Sequence, residues 1–426
     1  MKRSGKLRIL VALLVLLIPA CICANRGGAM AQNGVEACSS NIALVRELIG
    51  AGPSCGTITA EEYPPIYLRG QIEPTANVIM LIPDGAGLTH RTLARIVYGG
   101  ANSRLPSEKM WEVGIADTHS ADALVTDSAA AATQLATGYW TNNGMISVTP
   151  EGALAKTILE LAKEQGKSTG LVATSRITHA TPAAFGGHCA AREDEDEIAL
   201  WMLANEVDVL IGGGRRHFLP DSGTGKRMDN LNLLSEFRKS GWEIADSFDS
   251  LRDNGSARIC ALLANSHLPP APNREYTLQD LTHEAIRRLS TNPRGFFLMV
   301  EGSQIDFAAH MNDEAGVVEE LLDFEGAVAE AFQFAKVDGN TLVVVVADHE
   351  TGGLAIVGGS TDSNEAEIEW ACNEHTGSPV VVYSYGPNSY LLGAHIYLAD
   401  IPFIIARSWG ATQFGPERKC LFLSSE

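Results

Sequence analysis

Positive charge is scarce in this chain: 32 Lys and Arg stand against 51 Asp and Glu, a formal net charge of −19 at pH 7 with histidines neutral. Beyond residue 8 no cluster of Lys and Arg forms a basic stripe. That excludes a general nucleic-acid binder, because polyanion affinity needs concentrated cationic side chains. No Cys-x-x-Cys pair occurs, which excludes a cysteine-built structural zinc site of the usual spacing. Internal repeats, long low-complexity tracts and linker-like stretches are also missing, so nothing marks a joint between separate modules. One apolar run, residues 9–24, nears membrane length. It falls short of the ~20 residues of a spanning helix and contains Pro19, which argues against a stable membrane span. What remains is ordinary for a folded protein: 45% apolar, 19% charged and 7% aromatic over 426 residues, enough for a large buried core.

Lys2, Arg3, Lys6 and Arg8 precede the apolar run, a pattern that reads as a secretory signal. Two exits compete. Ala29-Met30-Ala31 is an A-x-A cleavage site, whereas Ile18-Pro19-Ala20-Cys21 loosely resembles a bacterial lipoprotein box with Cys21 lipidated. The first is preferred because Pro19 sits poorly in the second; an uncleaved anchor is a further alternative. The expectation is an exported protein, periplasmic or extracellular, with a signal at 1–31, an N-terminal arm at 32–72 and one domain at 73–426. Cleavage after Ala31 removes five positive charges and no acid, taking −19 to −24. It leaves Cys38, Cys55, Cys189, Cys260, Cys372 and Cys420, an even number that suggests disulfides in an exported chain. Cys38 with Cys55 would pin the arm. Isolated buried thiols are the alternative for Cys189 and Cys260.

Near-continuous apolar runs alternate with helical patterns: strands at 77–83, 170–174, 207–211, 296–300 and 341–347, helices at 153–165, 197–205, 278–289 and 314–336. Runs such as Leu342-Val343-Val344-Val345-Val346 lack polar alternation, as strands buried on both faces do. The expected fold is α/β: a doubly wound, mostly parallel sheet covered by helices on both faces. Ligands bind beyond the carboxyl ends of such strands.

The residues at those ends are chemical. Asp84-Gly85 follows the first run; Glu301-Gly302-Ser303-Gln304-Ile305-Asp306 follows another, with His310 at i+4 from Asp306 on one helical face; Asp348-His349 follows a third; and His375 precedes the run at 379–383. Any one of these dyads is more often a solvated pair. Together, three carboxylates and three imidazoles on one sheet edge suffice for two zinc ions with open positions. His90, His119, His188, His217, His267, His283 and His395 show no such pattern and are read as structural. Ser128, opening the run Ser128-Ala129-Ala130-Ala131-Ala132-Thr133, sits near a helix start, where free backbone N–H groups favour an anionic oxygen. No Gly-x-Ser-x-Gly surrounds it. A plain N-cap and a metal-activated nucleophile are the two readings.

These segments, with Thr126-Asp127-Ser128-Ala129, His179-Ala180-Thr181-Pro182-Ala183-Ala184, Arg192 and His375-Thr376-Gly377, resemble the alkaline phosphatases, in that family's order over roughly residues 75–410. The resemblance implies one Zn2+ on Asp306, His310 and His375, and a second on Asp84, Asp348 and His349 beside Ser128. A third ion, usually Mg2+, would lie on Asp84, Thr181 and Glu301. It implies a phosphate clamp at Arg192, oriented by Asp127, and hydrolysis of small phosphate monoesters through a phosphoserine. Homodimers are common in the family. Two positions depart from the best-known bacterial pattern: His179 stands where an aspartate often helps hold the third ion, and Phe307 where a lysine often reaches the phosphate. Histidine at 179, as a ligand, favours Zn2+ or Co2+ over Mg2+; Phe307 predicts weaker retention of product phosphate. The short interval 349–375 leaves little room for an accessory subdomain, so Asp362, Glu365, Glu367 and Glu369 are expected on a solvated loop.

Two alternatives stand beside this reading. A related enzyme could cleave a diester, sulfate ester or phosphonate, though Ser128 with Arg192 and the absence of a Cys/Ser-x-Pro-x-Arg segment favour monoesters. A noncatalytic exported phosphate- or zinc-binding protein would keep the fold without the reaction.

Overall fold

The computed structural model describes residues 64–418 and 420–423. The expected signal at 1–31, most of the arm at 32–72 and the Cys38–Cys55 pair lie outside the described residues. In chain order the strands are β1 (Ile66–Arg69), β2 (Asn77–Pro83), β3 (Glu112–Asp117), β4 (Ser168–Arg176), β5 (Val209–Gly213), β6 (Glu243–Ala245), β7 (Ile259–Leu262), β8 (Phe296–Gly302), β9 (Thr341–Val346), β10 (Glu350–Thr351), β11 (Leu354–Gly359), β12 (Ala366–Trp370), β13 (His375–Thr376), β14 (Val380–Tyr385), β15 (His395–Tyr397) and β16 (Cys420–Leu423). The helices are α1 (Leu88–Gly99), α2 (Ser128–Thr137), α3 (Ile158–Glu164), α4 (Ala180–Gly186), α5 (Glu195–Ala204), α6 (Leu233–Lys239), α7 (Phe248–Asp253), α8 (Leu278–Leu289), α9 (Gln304–His310), α10 (Glu314–Asp338) and α11 (Asp400–Ser408).

Ten strands form one sheet in the order β15-β3-β14-β9-β2-β8-β4-β5-β7-β6. Every pairing in it is parallel except those of β14, which runs antiparallel to both β3 and β9. The unbroken apolar runs explain the central strands. Val78, Met80 and Ile82 of β2 join one core with α2, α4 and α11, while Ile79 and Leu81 join another with α8 and α10. Leu342, Val344 and Val346 of β9 likewise face the first core, Val343 and Val345 the second. Each such side chain contributes about 1.5–3 kcal/mol of burial. The sheet is thus covered on both faces, as expected for a doubly wound α/β protein.

Three expectations need correction. The helix foreseen at 153–165 begins only at Ile158, because Thr157 caps it: the Glu160 N–H donates to Thr157 Oγ1 and the Thr157 N–H to Glu160 Oε2. The acids of 362–369 are not on a loop alone. β11 and β12 pair as a hairpin whose Ile356, Ala366, Ile368 and Trp370 pack against Leu93, Val318 and Leu354, leaving Glu367 and Glu369 outward. Finally, Cys189 and Cys260 are buried free thiols, and Cys372 is unpaired as well, so the six cysteines do not all form disulfides. Among the described residues no helix is long and apolar enough to cross a membrane.

Candidate active site

β9, β2 and β8 are neighbours and parallel, so their carboxyl ends open on one edge. Asp84 follows β2, Glu301 lies within the end of β8 opposite Ile82, and Asp348-His349 follow β9. α9 begins directly after β8 and carries Asp306 and His310 one turn apart. β13 brings in His375 by pairing with β10, which sets His375 opposite Thr351. Gly85 has φ +72°, and a Cβ there would sit 2.7 Å from Thr351 Oγ1 and 2.8 Å from Asp306 Oδ1. The glycine after Asp84 therefore permits close approach as well as a turn.

The structure brings Asp306, His310 and His375 into one group and Asp84, Asp348 and His349 into a second, with one donor atom per residue within 4.8 Å of the others in each group. In the first, His310 Nδ1 donates to the Asn373 carbonyl (2.7 Å) and His375 Nδ1 to the Thr126 carbonyl (2.8 Å). A carbonyl only accepts, so both Nε2 atoms carry lone pairs when the rings are neutral. Those atoms face each other at 3.1 Å, with Asp306 oxygens at 3.4 and 3.6 Å. Two lone pairs so close need a shared cation or a proton. The Asp306 contact lifts His310 to about 9. Burial opposes the shift at His375, but Asp306 raises it too. Burial also opposes the shift at Asp306, yet His310 and His375 hold its carboxyl well below the usual range.

In the second group His349 Nε2 lies 3.2 Å from Asp348 Oδ2 and 3.5 Å from Asp84 Oδ1. Both Asp84 oxygens and Asp348 Oδ2 are buried without a hydrogen-bond partner. Burial and the neighbouring Asp348 charge push Asp84 well up. Burial and Asp306 raise Asp348 to about 6, and burial raises Glu301 to about 7. Glu301 Oε1 and Thr181 Oγ1 are also buried and unpartnered. Carboxylates gathered in a dry site with unused oxygens are costly unless a cation compensates them. The donor sets therefore fit divalent metal: nitrogen and carboxylate ligands in the two groups, oxygen donors at Asp84, Thr181 and Glu301. His179 belongs to neither group. Its Nε2 faces Arg192 Nη2 at 3.5 Å, its Nδ1 is unpartnered, and burial with Arg192 and Arg176 lowers it to about 3.

Ser128 is the first residue of α2, and the N-cap is Asp127, not Ser128. Asp127 Oδ1 accepts from the Ala130 N–H at 2.9 Å, while Oδ2 accepts from Arg192 Nη1 and from the Gly144 N–H, both at 2.9 Å. One carboxylate thus starts the helix and holds the guanidinium. Ser128 Oγ lies 3.2 Å from His349 Nε2. A cavity of about 480 Å³ has Ser128, Asp127, Arg192, Asp306, His310 and His375 on its wall, together with His179 and Phe307.

Several neighbours escape sequence reasoning. Asn143 Oδ1 accepts from the Asp127 N–H at 3.0 Å, and the Gly144 carbonyl from the Arg192 N–H at 2.8 Å. Asn143-Gly144 is legible as a turn, but its partners are distant in sequence. Thr351 Oγ1 lies 2.6 Å from Asp306 Oδ1 and 3.3 Å from His349 Nδ1. His267, read as structural, stands edge-on to both His179 and Phe307 at centroid distances of 5.7 and 4.9 Å and contacts Arg176. No sequence pattern announces it.

The alkaline phosphatase family model matches residues 75–363. Alkaline phosphatase 3 of Bacillus subtilis is 41% identical over 302 residues, covering 68% of this chain and 64% of that protein. The chain thus spans just under two thirds of that relative. The alkaline phosphatase of Escherichia fergusonii is 31% identical over 74% of this chain and 82% of its own length. Among solved structures, alkaline phosphatase from the Antarctic bacterium TAB5 is 33% identical and superimposes with a TM-score of 0.73, covering 80% of this chain and all of that one. A form of that enzyme with a histidine replaced by aspartate has Mg bound in its M3 site. With the family match spanning most of the described sheet and every residue of the two groups except His375, the chain belongs to the alkaline phosphatase family.

Proposed function

We propose that this protein is an exported, metal-dependent phosphomonoesterase that converts small phosphate monoesters to an alcohol and inorganic phosphate through a phosphoserine at Ser128. The observation that carries the reading is that Ser128, the Asp127–Arg192 pair and the Asp306–His310–His375 group line one cavity, while the second carboxylate–imidazole group meets Ser128 Oγ through His349 Nε2 at 3.2 Å. Asp306, His310 and His375 would hold one divalent ion, Asp84, Asp348 and His349 a second, and Asp84, Thr181 and Glu301 a third. When bound, these ions supply Lewis-acid stabilisation of the attacking and departing oxygens.

The chain's own residues do the rest. Ser128 Oγ gives up its proton and bonds to phosphorus as the ester P–O bond breaks, and the departing alkoxide takes up a proton to leave as the alcohol. Water then cleaves the phosphoserine, returning Ser128 and releasing phosphate. Arg192, fixed by Asp127 and the Gly144 carbonyl, offers paired donors to the phosphoryl oxygens as charge spreads over them. Free N–H groups at the start of α2 favour the same anionic group. His179, if it joins the third set as a ligand, would favour Zn2+ or Co2+ over Mg2+ for that ion.

Two measurements test this. Aryl phosphate monoester turnover should exceed diester turnover and vanish with chelator. Acid-quenched enzyme should carry labelled phosphate that Ser128→Ala lacks; label persisting in that variant overturns the assignment.

A further inference from the structure

We infer that Thr351 is a positioning residue for both carboxylate–imidazole groups, its one hydroxyl fixing an oxygen of Asp306 and the protonated nitrogen of His349 together. The inference rests on the reading of those groups as metal sites. Thr351 is fully buried, with Oγ1 2.6 Å from Asp306 Oδ1 and 3.3 Å from His349 Nδ1. A carboxylate only accepts, so the hydroxyl proton points to Asp306 and the oxygen lone pair receives the Nδ1–H of His349. That leaves the His349 lone pair on Nε2, the atom that faces Ser128 Oγ, Asp348 and Asp84 at 3.2, 3.2 and 3.5 Å. On the other side, Asp306 Oδ2 faces His310 Nε2 at 3.4 Å while Oδ1 is held.

His310 and His375 set the same tautomer through backbone carbonyls, which no substitution removes. His349 depends on a side chain. Without the Thr351 hydroxyl, its proton is drawn to Nε2 by Asp84 and Asp348, and the ligating lone pair turns to a buried Nδ1 that points away from those carboxylates. The backbone holds Thr351 firmly in place. Its N–H donates to the Gly85 carbonyl at 3.0 Å, it sits opposite His375 in the β10–β13 pair, and a β-branched side chain is stiff at χ1. Gly85 leaves the room, since a Cβ there would stand 2.7 Å from Thr351 Oγ1. Partners that orient metal ligands are worth about 10- to 100-fold in metal affinity.

The test is zinc transfer from the loaded enzyme to excess chromophoric chelator, compared for wild type, Thr351→Val and Thr351→Ser, with Thr351→Ala replacing valine should that variant not fold. We expect Thr351→Val to lose zinc from both sites about 10-fold or more faster, and Thr351→Ser, which keeps the hydroxyl, to stay near wild type. Wild-type release from the valine variant overturns the inference while leaving the metal reading intact. Acceleration at one site only overturns the shared role. A wild type that takes up no zinc overturns the metal reading and the inference together.

Discussion

Asp127 joins two jobs in one carboxylate: Oδ1 caps α2 and Oδ2 fixes Arg192. Asparagine is as good an N-cap as aspartate but lacks the charge, so substitution separates the jobs. Asp127→Asn should melt near wild type yet raise KM for an aryl phosphate about tenfold, the scale of one charge-assisted hydrogen bond. Asp127→Ala should show the same KM and also lose about 0.5–2 kcal/mol by urea unfolding. An asparagine variant with wild-type KM would show that Arg192 is held adequately by Gly144 and the cavity wall. At this scale, the sequence is most readable where residue type carries the chemistry. Asp84, Asp348 and His349 follow strands, Asp306 and His310 lie on the helix after β8, and His375 leads into β14, where their residue types announce themselves. Thr351, Asn143 and His267 do not, because each is an ordinary residue until the fold sets it against a partner far away in the chain.

α5 is tied to the end of β4 by Glu195, its first residue. Arg176 Nε donates to both Glu195 oxygens at 2.9 and 2.8 Å, Thr178 Oγ1 donates at 2.6 Å, and His217 Nε2 lies 3.4 Å away. Burial opposes ionisation, but the Arg176 and Thr178 hydrogen bonds and the His217 charge bring the carboxyl down to about 2 from 4.5. A carboxyl lowered on folding stabilises the protein fully above its unfolded pKa, and the contribution fades as pH falls from about 4.5 toward about 2. The urea midpoint of wild type should therefore exceed that of Glu195→Gln at neutral pH, with the gap narrowing between about pH 5 and pH 3. A constant gap would locate the effect in shape, not charge. Elements show the same division in legibility. β2, β8 and β9 are buried on both faces and appear as unbroken apolar runs, so their ends and the site are readable. β3 alternates exposed Val113 and Ile115 with buried Gly114 and Ala116, and β6, β7 and β15 are three or four residues long, too brief for periodicity to register. The β11–β12 hairpin escapes a sequence reading although Glu367-Ile368-Glu369-Trp370 alternates, because its acids suggest a solvated loop.

Over the whole molecule, the charge is −19 in the full sequence and nearer −24 if the first 31 residues are removed. Under the proposed function, a dianionic monoester would cross the repulsive field of that surface before meeting Arg192 and the proposed cations at close range. The two terms respond differently to salt. Charges scattered over the surface act across distances beyond the Debye length, about 10 Å at 0.1 M, and are screened first. The clamp acts in contact, inside a partly desolvated cavity, and is screened much less. Added salt should then remove more repulsion than attraction, so kcat/KM for a dianionic aryl phosphate should rise as ionic strength goes from about 10 mM to about 200 mM, and rise less for a monoanionic substrate. A flat or falling profile for the dianion would show that the local cationic field reaches beyond the cavity and steers substrate despite the acidic surface.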